Sequence, residues 1–338
     1  MAYITLNKKY FFNNLDIIAQ RSKGKDKIAL VLKDNAYGHG LMEIATMAKE
    51  YGITKVVVRT TTEAQRVAKL FRYILVLADR PLVYDEKIHY TINDLFAVST
   101  FPKGTKVELK VNTGMNRNGI ESDEIEQALV LIQKAGLQLT GVFTHHSSAD
   151  EDITIYEEQN RRFQRVKDEV KTVISRFGMP SIRFHSCNSA ALFQTENFDE
   201  DLARVGIAAY GCLDMPENAD VKELQAVLSV YAKRISLRRL KKGTSVGYGA
   251  TYTAGEDLLI GNYDFGYGDG FLRAFSKGYV TPEGIELLGR ISMDNSSFLT
   301  QKEELLIFDD AKKTAAFADT ISYEVLTALK EKIPRVIR

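Results

Sequence analysis

Two hydrophobic patterns divide the chain. Over about the first 220 residues, short apolar runs alternate with segments whose apolar positions recur at helical spacing. The runs at residues 28–32, 55–58 and 73–77 are continuous, which is typical of parallel strands that are covered on both faces. Repeated strand–helix units of this kind predict a (β/α)8 TIM-type barrel. We assign it to residues 8–220.

The pattern changes after about residue 224. Residues 227–240 alternate between apolar and polar positions, which predicts a long antiparallel strand, and short strand-like pieces follow to the C-terminus. We therefore expect a mainly β domain over residues 221–338, with no helix of its own, and residues 1–7 are candidates to join it. No Pro- or Ser-rich linker separates the two parts, so a packed junction is expected.

Composition and charge exclude several classes of partner. The 338 residues carry 45 Lys+Arg against 44 Asp+Glu, and a net charge of +1 gives no strongly cationic surface for nucleic acid or acidic lipid. No apolar run is long enough to span a membrane or to act as a signal peptide. Cys187 and Cys212 are too few for a zinc cage and are interpreted as small buried side chains. We expect a cytoplasmic protein without a metal site.

The first candidate for chemistry is segment 31–40, where Lys33 follows the first predicted barrel strand. Barrel active sites are built at the carboxyl ends of the strands, although an isolated lysine there is more often simply solvated. The segment resembles the cofactor-lysine segment of the alanine racemases, which are fold-type III pyridoxal-phosphate enzymes. The resemblance implies that Lys33 forms a Schiff base with pyridoxal 5'-phosphate and that Tyr37 contacts its phosphate.

Three segments of the predicted β domain, 248–254, 266–270 and 289–294, resemble the same family. Their Gly and Tyr residues would also suit turns and cross-strand pairs. The resemblance implies that Tyr248 is the second catalytic base and reaches into the site of a neighbouring subunit. It also implies that Tyr267 and Met293 line that site, near the phosphate and the substrate. The expected assembly is a homodimer with shared active sites.

Four further segments carry the resemblance between these ends. In residues 110–117, Arg117 is implied to bind the cofactor's phenolic oxygen and the substrate, and Lys110 is a residue that the family often carbamylates. Asn112 stands where the family often has an acid. His145 matches a histidine that contacts the catalytic tyrosine. The implied cofactor contacts of the last two segments are His185 under the ring, Asn188 in support, Ser189, Gly206 and Ile207 at the phosphate, and Arg204 at the ring nitrogen.

The implied function is a two-base racemisation of alanine, with Lys33 on one face of the substrate and Tyr248 of the partner subunit on the other. Arg204 can only donate a hydrogen bond, so the ring nitrogen stays an unprotonated acceptor and side reactions such as transamination are suppressed. The family role would be supply of D-alanine for peptidoglycan. The open alternatives are a broader, serine-accepting racemase, a fold-type III amino-acid decarboxylase and a pyridoxal-phosphate-binding barrel protein without turnover.

The chain departs from the family pattern at two places. It is short between residues 59 and 110, and Arg59 stands where small residues are expected. Near the C-terminus, the residue that matches a gate tyrosine by spacing is Glu331. A charge at the gate would loosen selection for alanine, so serine or a broader range of substrates stays open.

Overall fold

The computed structural model describes residues 1–81, 84–216, 221 and 223–338; residue 220, where the predicted domain boundary falls, lies outside them. The strands are β1 (Tyr3–Leu6), β2 (Ile28–Val31), β3 (Lys55–Val58), β4 (Tyr73–Val76), β5 (Ile88–Ile92), β6 (Lys106–Lys110), β7 (Gln138–Phe143), β8 (Arg183–His185), β9 (Ala203–Val205), β10 (Leu228–Leu240), β11 (Ser245–Val246), β12 (Tyr252–Thr253), β13 (Leu258–Tyr263), β14 (Leu287–Leu288), β15 (Ser296–Phe298), β16 (Glu304–Phe308) and β17 (Arg335–Ile337). The helices are α1 (Lys8–Arg21), α2 (Lys33–Tyr37), α3 (Leu41–Tyr51), α4 (Thr61–Val67), α5 (Ile125–Lys134), α6 (Ile153–Arg176), α7 (Ser189–Gln194), α8 (Ala311–Ala316) and α9 (Ser322–Ala328).

Eight parallel strands form the predicted barrel. Their order is β8-β7-β6-β5-β4-β3-β2-β9, so each strand from β2 to β8 pairs with the next one along the chain. The two end strands approach each other, because the Asp201 and Arg204 backbone N–H groups donate to the carbonyls of Phe184 (3.2 Å) and Cys187 (2.9 Å). The barrel is therefore nearly closed, and the expected fold class is confirmed.

The C-terminal part is mainly β and is organised around the long strand β10. Seven strands form its main sheet, in the order β14-β15-β13-β10-β1-β17, with β16 also paired to β10. The N-terminal strand β1 belongs to this sheet, antiparallel to β10 and parallel to β17. The first residues of the chain therefore pack with its last third and not with the barrel.

The expectation that the C-terminal region lacks helices is wrong. Asp310 begins helix α8 by accepting hydrogen bonds from the backbone N–H groups of Lys312 and Lys313, and helix α9 buries Val325 and Leu326. Helices of six and seven residues are too short to show a clear helical period in the sequence. Helix α9 matters for the site, because it packs against α2.

Strand β5 was not predicted because it carries polar residues. His89 and Thr91 are nevertheless buried, since alternate side chains of a barrel strand point into the interior. His89 Nδ1 lies 2.7 Å from Thr140 Oγ1 on β7, so the polar ring has a partner inside the barrel.

Candidate active site

Lys33 begins an unusual left-handed turn. Asp34, Asn35 and Ala36 have φ between +52° and +55°, and Tyr37 has φ of +51°. Left-handed backbone costs roughly 1–2 kcal/mol per non-glycine residue, although Asp and Asn tolerate it better than others. Strain concentrated in one segment is typical of functional sites, because the surrounding structure must hold it in place.

Two side chains from other elements hold this turn. Glu63 of α4 accepts the Asp34 backbone N–H at 2.7 Å with one oxygen, and its other oxygen accepts the backbone N–H groups of Arg59 and Thr60 at 2.8 and 3.1 Å. Arg335 of β17 donates to the Gly38 carbonyl at 2.8 Å. The turn that presents Lys33 is thus fixed from the barrel on one side and from the C-terminal sheet on the other.

Lys33 faces a cavity of about 560 Å³ at the carboxyl ends of the barrel strands. The lining residues predicted from the sequence are Lys33, Tyr37, Lys110, Arg117, His145, Asn188, Ser189, Arg204, Gly206 and Ile207. Arg59 lines it as well, so the wall carries five Lys or Arg side chains against the carboxylate of Asp150. A cavity with that charge balance suits a strongly anionic ligand.

One wall of the cavity forms a cradle. The Ser189 hydroxyl accepts the backbone N–H groups of Gly206 (3.1 Å) and Ala208 (3.3 Å). Tyr37 crosses directly over Gly206, where a Cβ atom would lie only 2.8 Å from the Tyr37 Oη. Burial, Tyr323 and Asp34 raise the pKa of Tyr37, so its hydroxyl stays protonated and can donate. The hydroxyl groups of Ser189 and Tyr37 and the backbone of Gly206 therefore lie close together on this wall.

Arg204 of β9 lies almost completely buried at the base of the cavity. Its Nη2 donates to the carbonyls of Thr144 (2.7 Å) and Ser186 (2.9 Å), and its Nη1 lies 2.6 Å from Nδ1 of His185. Within the described part of the chain, no acceptor takes the remaining Nε–H. That N–H is the guanidinium donor left for a ligand.

His185 lies behind Arg204 and does not line the cavity. Its side chain has no exposed surface, and Nε2 lies 2.6 Å from the carboxylate of Glu108. The resemblance implied a histidine under a bound ring; in the structure His185 contacts the arginine instead.

His145 lines the cavity beside Arg204. Its Nδ1 lies 3.5 Å from Nη2 of Arg204, whose two hydrogens are given to the closer carbonyls of Thr144 and Ser186. Burial and the charges of Arg204, Lys110 and Arg117 lower the pKa of His145 well below its usual range. The ring is therefore a neutral hydrogen-bond donor.

Lys110 and Arg117 both line the cavity, and the charge of Arg117 acts on Lys110. Burial and the charges of Arg117, Arg204 and Lys33 lower the pKa of Lys110 to about 8. Asn112 organises the loop between them: its amide oxygen accepts the backbone N–H groups of Gly114 and Asn116, and its Nδ2 donates to Glu121 at 2.8 Å. Asn112 thus shapes the loop that carries Arg117.

Comparison with known proteins identifies the family. The family described as alanine racemase, N-terminal domain, matches residues 6–214, and the family described as alanine racemase, C-terminal domain, matches residues 227–337. This chain belongs to the alanine racemase family. An alanine racemase of a Nitratiruptor species is 45% identical over 335 residues, which are 99% of each chain.

Solved alanine racemases share the fold. A crystal structure from E. faecalis superposes with a TM-score of 0.85 at 27% identity and covers 100% of this chain and 98% of that one. One from the D-cycloserine-producing Streptomyces lavendulae gives 0.88 at 24% identity, covering 100% and 97%. Since the Nitratiruptor relative matches over nearly its whole length, the shortness of this alanine racemase family member is not peculiar to it.

The residues expected to complete a partner's site do not line the cavity of their own chain. Tyr248, Tyr267 and Met293 are 68%, 40% and 56% exposed on the C-terminal domain. Two of their segments are tied together, because the Gly268 backbone N–H donates to the Met293 carbonyl at 2.7 Å. The segments of Tyr267 and Met293 are thus adjacent, and all three side chains are exposed in this alanine racemase family member.

The assignment of Glu331 to the gate is wrong. Its carboxylate lies 2.8 Å from the Arg66 guanidinium and is not part of the cavity wall. Helix α9 instead contributes Tyr323 to the cavity wall, and its ring centroid lies 5.8 Å from that of Tyr37. Glu331 therefore places no charge on this wall.

Neither a membrane-crossing helix nor a metal cluster occurs among the described residues. None of their helices has the length and apolar character needed to cross a bilayer. Among residues 1–81, 84–216, 221 and 223–338, no group of three or more His, Cys, Asp or Glu side chains could hold a metal ion. Cys187 and Cys212 are free and buried.

Proposed function

We propose that this protein interconverts L-alanine and D-alanine with pyridoxal 5'-phosphate held in the barrel cavity. The observation that carries the proposal is a buried arginine, Arg204, which offers an N–H into the same cavity that Lys33 enters. An arginine there suits an acceptor nitrogen, and a lysine amine suits covalent attachment of an aldehyde.

The residues present fit this cofactor. The Ser189 hydroxyl, the Gly206 and Ile207 backbone and the Tyr37 hydroxyl would hold its phosphate, and Gly206 leaves the cradle open where any Cβ would fill it. Arg204 would donate to the ring nitrogen through Nε–H. When bound, the cofactor supplies the electron sink that acidifies the Cα–H bond of an amino acid.

The proposed roles of the chain's own bases follow from their positions. Lys33 Nζ takes or returns a proton on one face of the substrate. On the other face, the hydroxyl of Tyr248 from the partner subunit does the same. His145 supports that tyrosine, because the N–H of its neutral ring donates to an oxygen and so stabilises a phenolate. Exposure of Tyr248 in its own chain supports a role in the partner's site.

Lys110 and Arg117 are proposed to bind at the substrate end of the cavity. Arg117 is exposed, and no described residue accepts a hydrogen bond from its guanidinium, so it is available for a carboxylate or a phenolic oxygen. A pKa of about 8 leaves an appreciable fraction of Lys110 as the free amine near neutral pH, which is the form that adds carbon dioxide. The carbamate would then pair with Arg117.

The assembly proposed is a homodimer with two shared sites, since Tyr248, Tyr267 and Met293 are exposed outside the chain's own cavity. Its proposed role is the supply of D-alanine for bacterial peptidoglycan by a cytoplasmic enzyme. Nucleic acid and membrane are not proposed as partners.

Chiral analysis of L-alanine incubated with protein and cofactor tests the activity. We expect D-alanine to form and to approach equal amounts of the two enantiomers. Parallel incubations with L-serine and L-lysine measure strictness, and a preference for lysine would contradict the alanine assignment. Release of carbon dioxide without D-alanine would instead support a decarboxylase.

The shared site is tested by mixing subunits. Lys33→Ala and Tyr248→Phe should each abolish or nearly abolish turnover, and mixed dimers should regain about one working site. The matched control is Tyr84→Phe, which alters another exposed tyrosine outside the cavity wall and should leave turnover unchanged. Full activity of Tyr248→Phe, or no recovery after verified exchange, would refute the two-base, shared-site mechanism. Cofactor binding without turnover in the wild type would favour a pyridoxal-phosphate-binding protein.

A further inference from the structure

We propose that Glu108 is a positioning residue for Arg204, acting through His185; the inference rests on the proposed function for its catalytic consequence only. Glu108 lies in the middle of strand β6, inside the barrel, and its side chain has no exposed surface. No sequence motif singles it out. Its neighbours nevertheless form a continuous chain from the barrel interior to the cavity.

The carboxylate of Glu108 is surrounded by donors. One oxygen lies 2.6 Å from His185 Nε2, and the other accepts from the Tyr73 hydroxyl at 2.9 Å and from Arg183 Nη1 at 3.3 Å. Space for it comes from Gly141 on the next strand, where a Cβ would lie 2.9 Å from the Glu108 carboxyl carbon. Donors from β4 and β8, and the space left by the missing side chain on β7, therefore accommodate this carboxylate inside the barrel.

The two neighbours of His185 agree on a single tautomer. Arg204 Nη1 lies 2.6 Å from Nδ1, and since a guanidinium can only donate, Nδ1 must accept. Glu108 lies against Nε2, and an ionised carboxylate can only accept, so Nε2 must carry the proton. In the other tautomer Nδ1–H would face an N–H of the guanidinium and the unprotonated Nε2 would face the carboxylate, so both contacts would be unfavourable.

The ionisation states support this arrangement. Burial alone would raise the pKa of Glu108, but His185 and Arg183 outweigh it and hold the carboxyl ionised. Burial lowers the pKa of His185 despite the opposing effect of Glu108, so the ring is neutral. The pair is therefore a neutral imidazole between a carboxylate and a guanidinium.

Glu108 also supplies counter-charge to a buried cation. Arg204 is 5% exposed, and its direct oxygen acceptors are backbone carbonyls, which carry no net charge. Glu200 is the carboxylate with the stronger electrostatic effect on Arg204, and it also accepts hydrogen bonds from the Ser186 hydroxyl and the backbone N–H groups of Ser186 and Cys187. Glu108 acts on Arg204 less strongly, but it is the carboxylate joined to the guanidinium through a side chain, the ring of His185.

The consequence for Arg204 is orientational. With His185 fixed as an acceptor, Nη1 and Nη2 are both held by the protein, and Nε–H is the guanidinium donor that no described residue engages at the cavity. A ring free to change tautomer would turn an N–H toward Nη1 and push the guanidinium from its place. Supporting partners of this kind typically change activity by about 10- to 100-fold when removed.

Glu108→Gln is the test, because it keeps size and removes the charge. Its amide must place an NH₂ group against one of the donors around it. In cofactor-free protein with 15N-labelled histidine, we expect wild-type His185 to show an unprotonated Nδ1 and a protonated Nε2, and the variant to show a mixture. With cofactor, kcat should fall about 10- to 100-fold while KM changes by less than about threefold.

Tyr73→Phe is the matched control. It removes one hydrogen bond from the same carboxylate and leaves the bond to His185, so the tautomer should persist and kcat should fall by less than about threefold. A wild-type His185 protonated on Nδ1 would overturn the proposal, and this measurement needs no variant that might misfold. An unchanged tautomer in folded Glu108→Gln with unchanged kcat would overturn it as well. If the tautomer changes but wild-type protein racemises nothing, the proposed function fails while the positioning stands.

Discussion

Gly206→Ala gives the sharpest test of the phosphate cradle. The backbone at Gly206 does not have a positive φ, so alanine adds no backbone strain there. The added Cβ would meet Tyr37 at 2.8 Å from Oη, 3.0 Å from Cζ and 3.1 Å from Cε2. All three contacts are closer than normal packing allows, and they fall on the hydroxyl end of the ring.

Tyr37 cannot move away easily. Its ring packs at 5.3 Å from the Tyr210 ring and 5.8 Å from the Tyr323 ring, and the left-handed turn fixes its backbone. Overpacking of this kind costs roughly 1–3 kcal/mol. If most of that cost falls on the ligand-binding geometry, cofactor affinity drops by about 5- to 150-fold, since 1.4 kcal/mol corresponds to tenfold.

The assay is titration of cofactor-free protein with pyridoxal phosphate, followed by the visible absorbance of the lysine-bound form. The control is Gly255→Ala, because a Cβ at Gly255 meets nothing within 4 Å and its φ is not positive. Adding Tyr37→Phe to Gly206→Ala should recover part of the loss if the hydroxyl contact is its cause. Affinity of Gly206→Ala within about twofold of wild type would refute the cradle as the phosphate site.

Two other predictions follow from buried groups. Burial lowers the pKa of His39, His89 and His146 to about 4, whereas the same side chains in the unfolded chain bind protons near pH 6.5. The unfolded state therefore takes up more protons between these values, and we expect these three residues to remove about 4 kcal/mol of unfolding free energy between pH 7.5 and 5.5. Urea titration measures this loss, and an unchanged midpoint would contradict it. Glu63→Gln should leave backbone N–H groups around the Lys33 turn without an acceptor, which should lower the unfolding free energy by about 1–3 kcal/mol and reduce cofactor loading. The control is Glu126→Gln, which removes only an exposed ion pair with Arg176 and should change the melting temperature little.

The fold could be predicted from sequence where its physical cause is local. Continuous apolar runs mark β2, β3 and β4 because those strands are covered on both faces. Strand β5 was missed because His89 and Thr91 are polar, and only the folded barrel shows that His89 finds a partner inside it, the Thr140 hydroxyl at 2.7 Å. The short helix α8 depends on its Asp310 cap, and α9, which has no side-chain cap, depends on the burial of Val325 and Leu326.

The residues of the candidate site also differ in whether their place depends on nearby sequence or on distant parts of the chain. Lys33, Ser189 and Arg204 were predicted because they lie in segments that resemble the family, and all three line the cavity. Tyr323 and Glu108 could not, since each owes its place to partners from distant strands or helices. The left-handed turn is a similar case: Asp34 and Asn35 tolerate that backbone, but Ala36 and Tyr37 give no sign of it.

The charges of the cavity explain why an anionic ligand and Lys110 act on each other. The pKa of Lys110 falls to about 8 because burial disfavours its ammonium and because Arg117, Arg204 and Lys33 repel it. A phosphate or carboxylate in the cavity opposes that repulsion and raises the same pKa, so by linkage the anion binds together with a fraction of a proton near pH 8. Carbamylation relieves the same repulsion in the opposite way, by replacing the cation with an anion. If Lys110 is carbamylated as proposed, protonation and carbamylation would compete for one amine, and an anionic ligand in the cavity would favour the ammonium form.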